Sequence, residues 1–239
     1  MPTAETAERP RVWYAFAAIV VLLAAYNVTR ALWLPGRFHT AGTFTVGALS
    51  AAIAFWAGLT RDEMGLARRH IARGVLWGGA TFALVGAGLG AAAAFPQTAH
   101  LFDDKQVKVP LSGLLVSLLW TIPVGTVIPE ELAFRGALFG LANTRLRTVW
   151  AVVVSSALFG CWHIAPTINS SRGNAQLSGF ASSNLGLTLT VAGTVLLTGC
   201  AGAVFCWLRI RAKHLLAPMG AHYAVNSLAF LTAWLVVHH

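Results

Sequence analysis

The residues best suited to chemistry sit in one short stretch, Pro129-Glu130-Glu131-Leu132-Ala133-Phe134-Arg135-Gly136. Two adjacent carboxylates and an arginine interrupt an apolar run. No charged residue occurs from Leu111 to Ile128 or from Gly136 to Asn143. Charges at such a depth are costly and by default mark function. Two later apolar runs carry further polar groups: His163, with Phe159 four residues before it, and His222 with Asn226. Residues four apart share a helix face. Glu131 can therefore pair with Arg135, Phe159 can pack beside His163, and His222 and Asn226 can point into one cavity.

Arg135 can neutralise one carboxylate and leaves a second, so Glu130 is expected to face His163. Two carboxylates, one cation and two histidines at one depth make the pattern of an acid–base site. A carboxylate beside a histidine can take a proton from water as the water attacks a carbonyl. A second histidine and an amide can donate to the oxyanion that develops. Each group also has a plainer reading. The histidines and Asn226 could be hydrogen-bonding links between helices, and Glu131 with Arg135 a structural ion pair. No serine or cysteine has a claim as nucleophile. Cys161, two residues from His163, falls on another face, and Ser155, Ser156 and Ser227 read as small interhelical residues.

The elements that must position these groups follow from composition. Of the 239 residues 56% are hydrophobic and 10% charged, against roughly 25% charged in soluble proteins. We read an all-α, polytopic transmembrane bundle of about seven spans, with room for an eighth re-entrant or short helix. Residues 1–110 carry three spans and 111–239 a core of four or more, in one integral membrane domain. The spans fall at about Val12–Leu34, Ala41–Leu59, Val75–Phe95, Pro110–Leu141, Val149–Ile164, Leu185–Leu208 and Leu215–Val237. The fourth exceeds the ~20 residues one straight span needs; with Pro123, Gly125 and Pro129 it should be bent or broken. Residues 1–11, 96–109 and 167–184 read as a polar N-terminal stretch and polar loops. Residues 61–73 read as an interfacial amphipathic segment or a solvated basic loop, and residues 209–214 as a basic turn. Cys161, Cys200 and Cys206 look like small buried side chains, not a disulfide framework.

Net charge is +9, but the basic residues cluster between apolar runs as membrane flanks do, so nucleic acid is not an expected partner. One side holds Arg9, Arg11, Arg61, Arg68, Arg69, Arg73, Arg145, Arg147, Arg209, Arg211 and Lys213; the other holds Arg37, Lys105, Lys108 and Arg172. This bias places the N-terminus in the cytoplasm. At about 1.5 Å per residue, Glu130 lies roughly 16 Å from the loop near Leu141, His163 roughly 22 Å from Thr148, and His222 and Asn226 roughly 14 and 20 Å from Lys213. The polar groups converge on one layer.

The three motifs, Glu130-Glu131 with Arg135, Phe159 with His163, and His222 with Asn226, resemble in that order those of the CPBP intramembrane proteases. This is the family of CAAX prenyl endopeptidases and bacteriocin-processing and immunity proteins, also called ABI. The local context, Pro129 to Leu138 and Leu216 to His222, resembles it too. The resemblance covers roughly Leu111 to Phe230. It implies a glutamate-type intramembrane endopeptidase acting on a peptide or membrane-protein substrate, in the cell (inner) membrane. In it Glu130 is the general base, His163 orients or activates water, and His222 and Asn226 form the oxyanion site. Glu131 and Arg135 support the site, Arg135 also being able to position substrate, and Phe159 is packing. Two histidines and a glutamate could hold zinc, but no His-Glu-x-x-His spacing is present and the resemblance favours a metal-free mechanism, so no cofactor is expected. A non-proteolytic membrane protein of the same fold, an immunity or assembly partner, is the alternative reading; a proton-relay transporter is a third. The short N-terminal region and compact loops point to a prokaryotic source, where prenylated tails are not expected targets.

Overall fold

The computed structural model describes residues 11–95, 107–171 and 181–238. Nearly all of the polar stretch expected at 1–11, most of the loop expected at 96–109, and residues 172–180 lie outside them. The described residues form eight main helices and no strand: α1 (Arg11–Leu32), α2 (His39–Trp56), α3 (Ile71–Ala94), α4 (Leu111–Asn143), α5 (Thr148–Trp162), α6 (Ile164–Ser171), α7 (Asn184–Ala212) and α8 (Leu216–His238). With α5 and α6 counted as one span, seven helices are long and apolar enough to cross a membrane.

Large apolar side chains such as Trp13, Tyr14, Leu76, Leu84, Leu119 and Leu197 point outward, where lipid would solvate them. The interior holds a second set of large apolar side chains, among them Ile19, Met64, Phe134, Leu138, Phe159 and Phe205, together with the polar groups, and small residues at the contacts let the helices approach closely. A Cβ on Gly47 of α2 would lie 2.5 Å from the Pro129 Cα of α4, and one on Gly220 of α8 would lie 2.6 Å from the Gly78 Cα of α3. These backbone contacts bring α2 against the glutamate pair and α3 against the helix carrying His222. α7 lies along α5.

α4 is neither broken nor interrupted. It runs as one helix of mixed pitch, with π turns at Ser117–Thr121, Pro123–Val127 and Leu132–Leu138 around a short α stretch, Ile128–Glu131. A proline lacks the N–H and crowds the carbonyl four residues back; wider i→i+5 turns relieve that crowding. α8 has one such turn too, Ala224–Leu228, which contains Asn226.

Of the segment expected at 61–73, residues 71–73 begin α3, and residues 60–70 keep Arg61, Arg68 and Arg69 exposed while burying Met64, Gly65 and Ala67. The latter make an ordered turn that drives Met64, fully buried, against Gly136 of α4. Gly65 takes φ +72°, its carbonyl accepts from the Leu215 N–H at 2.8 Å, and Arg209 donates to the Asp62 and Glu63 carbonyls at 2.9 and 3.0 Å. Arg209 is therefore a buried member of α7 rather than part of a basic turn. The fifth span does not end at Ile164. It pauses at His163 and resumes as α6, with Pro166 in the first turn, where its missing N–H costs nothing. Cys206 is buried as expected, whereas Cys161 and Cys200 are exposed; all three are free thiols.

Candidate active site

Successive helix residues point in different directions, so the two carboxylates diverge from the Ile128–Glu131 stretch. Glu131, fully buried, turns toward α8. Its Oε1 accepts from Arg135 Nη1 at 3.1 Å and from His222 Nδ1 at 2.8 Å. An ionised carboxylate only accepts, so Nδ1 carries the proton in that bond. His222 Nε2 then faces Glu130 Oε2 at 3.8 Å, beyond hydrogen-bond length. Glu130, 4% exposed, turns toward α5, and its Oε1 accepts from the Trp162 indole at 2.9 Å. Oε2 of each glutamate is buried with no hydrogen-bond partner among the described residues.

Arg135 is fully buried, and its guanidinium lies 3.9 Å from the Phe159 ring centroid, 5.0 Å from Phe205 and 5.9 Å from Phe134. One face of charge is met by Glu131 and the rest by aromatic quadrupoles, each worth up to about 2 kcal/mol when desolvated. Phe159 packs at the centre of the cluster. It faces the arginine, meets the His163 ring edge-on at 4.7 Å and the His222 ring at 5.9 Å. Its carbonyl lies 2.8 Å from His163 Nδ1. A carbonyl only accepts, so Nδ1 carries a proton, and in the neutral ring Nε2 keeps its lone pair.

Glu130, Glu131, Arg135, Phe159 and His222 therefore form one buried cluster, with His163 on its edge through Phe159. The expected Glu130–His163 facing does not occur: Glu130 meets Trp162 and His222, and His163, half-buried, bonds back to its own helix. Asn226 is half-buried and makes no side-chain hydrogen bond among the described residues. Ser155 does link helices, donating to the Phe134 carbonyl at 2.9 Å; Ser156 and Ser227 have no such partner among the described residues. Among these residues no group of three or more His, Cys, Asp or Glu is arranged to hold a metal ion.

Sequence reasoning missed Trp162, Phe205 and Asn27. Trp162 had a signal: an indole N–H inside an apolar span needs an acceptor, and Glu130 is near in depth. Around Glu130 on its α2 side lies a crevice lined by Leu23, Thr43, Val46, Gly47, Pro129 and Trp162, too narrow for a water molecule. Beyond Trp162, between α1 and α5, opens an apolar cavity of about 270 Å³.

The fold and this cluster define a multi-pass membrane protein with paired buried carboxylates. Residues 112–228, just under half of the chain, match the family described as type II CAAX prenyl endopeptidase Rce1-like, a CPBP/CAAX protease family. No curated protein and no solved structure gave a match.

Proposed function

We propose that the protein is an intramembrane endopeptidase of the glutamate type, hydrolysing a peptide bond without a metal. The observation that carries this reading is the asymmetry of Glu130. One oxygen is held by Trp162 while the other is buried, unpartnered and directed at His222. In this reading Glu130 Oε2 takes a proton from a water molecule, the water oxygen bonds to the carbonyl carbon, and the C–N bond breaks as that proton passes to the leaving amine. His163, whose Nε2 keeps a lone pair, orients the water. His222 and Asn226 serve the oxyanion, which requires a proton on His222 Nε2 as well as on Nδ1 and requires Asn226 to turn toward it on substrate binding. Glu131 and Arg135 fix His222. Residues 111–239 hold the catalytic core, and the first three spans brace it. The family description names prenylated CAAX proteins as substrates; for this chain we infer a peptide or membrane-protein substrate in the inner membrane, cut near the cytoplasmic face.

The test is membrane proteomics of wild type against Glu130→Gln, followed by hydrolysis of the accumulating peptide in liposomes. We expect uncut peptides in the variant and a rate reduced by about 10²–10⁴-fold, the range for loss of a positioned base. Equal proteomes would favour the non-proteolytic reading, and equal rates on an accumulated peptide would remove Glu130 as the base.

A further inference from the structure

We infer that Trp162, held by Tyr26 and Asn27 of α1, is a positioning residue for Glu130; the inference rests on the proposed role of Glu130 as base. The chain of causes begins at Pro166. In a continuous helix the Trp162 carbonyl would accept the N–H of residue 166, and proline has none. That carbonyl is instead met by Asn27 Nδ2 at 2.7 Å. An unmet carbonyl in a membrane interior is costly, so the α1 amide both satisfies it and ties the end of α5 to α1. The indole of the same residue stacks on Tyr26, centroids 6.1 Å apart and planes within 18°. Tyr26 is in turn fixed by hydroxyl contacts to the His39 carbonyl at 3.0 Å and Thr43 Oγ1 at 2.9 Å, with Gly42 leaving room for its ring.

Backbone and ring are thus both pinned, and the indole N–H is aimed at Glu130 Oε1. This fixes which oxygen is engaged and leaves Oε2 for the water. It also gives α1, outside the 112–228 family match, a direct part in the site.

The experiment uses the full chain in nanodiscs. The Trp162 indole ¹H–¹⁵N resonance, assigned by its loss in Trp162→Phe, is followed in Glu130→Gln and Asn27→Leu. We expect it to move upfield in Glu130→Gln and to shift or broaden in Asn27→Leu; an unmoved resonance in both overturns the inference. On the liposome substrate, Trp162→Phe should lower kcat by about 10²-fold at unchanged KM, as for a misplaced base. Asn27→Leu should lower kcat by about tenfold, near the worth of one hydrogen bond, with recovery in Asn27→Gln, which keeps the donor. A kcat in Asn27→Leu equal to wild type, or a loss confined to KM, overturns it. Asn27→Leu retains the tryptophan and carries the kinetic arm if Trp162→Phe does not fold. If wild type hydrolyses nothing, the protease reading fails, and the resonance arm still decides whether Trp162 holds Glu130.

Discussion

At the scale of single residues, burial makes Arg135 the most consequential side chain. It is the partner of Glu131 and the filling of an aromatic cage formed by Phe134, Phe159 and Phe205. Removing one member of a buried ion pair leaves the other charge uncompensated, which costs about 3–5 kcal/mol. Arg135→Met should therefore lower the midpoint of thermal unfolding in detergent markedly. Glu131→Gln combined with it should recover much of the loss, because no buried charge is then stranded. Arg135→Lys should not restore wild-type stability, since an ammonium has no planar face to lie on the Phe159 ring. The pair was legible in the sequence from spacing alone. The cage was not, because Phe205 comes from α7 and nothing in a list of apolar residues says which ring faces a guanidinium. The partner of Glu130 was mistaken for a similar reason. Depth placed His163 in the right layer, but the side chain's direction is set by the break at the end of α5, and Trp162 occupies the place facing the carboxylate.

At the scale of elements, seven spans were readable because lipid demands long apolar runs. Their joints were harder to read. π turns have no sequence signature that separates them from a break, so the prolines of α4 left open a broken helix where the chain runs on through wide turns. The turn at residues 60–70 looked solvated because its charges dominate the composition, yet its carbonyls and Met64 make it part of the core. The start of α8 gives a pH prediction. His214 is buried, and its Nδ1 accepts from the Leu216 N–H at 3.1 Å. Burial lowers its pKa below the usual 6.5, and Arg209 and His70 lower it further. The unfolded chain then binds the proton more readily than the folded one. Stability is complete above pH 6.5 and is lost as pH falls below it. Melting temperature should drop between pH 7 and 5, and the drop should be smaller in His214→Asn, which keeps an acceptor and cannot charge.

At the scale of the whole molecule, the hydrogen bonds from Arg209 to the Asp62 and Glu63 carbonyls and from Leu215 to Gly65 put the turn at 60–70 and the α7–α8 turn on one face. We propose, from the excess of arginine and lysine, that this face is cytoplasmic. In a variant lacking the three native cysteines, Thr144→Cys should react with a membrane-impermeant maleimide only from the cytoplasmic side, and Gly36→Cys only from the opposite side. The reverse pattern would invert the proposed topology and move the cleavage site to the other leaflet.

The crevice beside Glu130 has a consequence for the speed of the reaction. Glu130 is 4% exposed and His222 5%, and α2 closes on Pro129 at backbone contact. Neither substrate nor water reaches the carboxylate until helices part. Under the protease reading, each turnover then waits on that parting, as in enzymes whose lid motion sets kcat. Turnover would follow the thickness and fluidity of the surrounding bilayer more closely than the basicity of the amine that leaves.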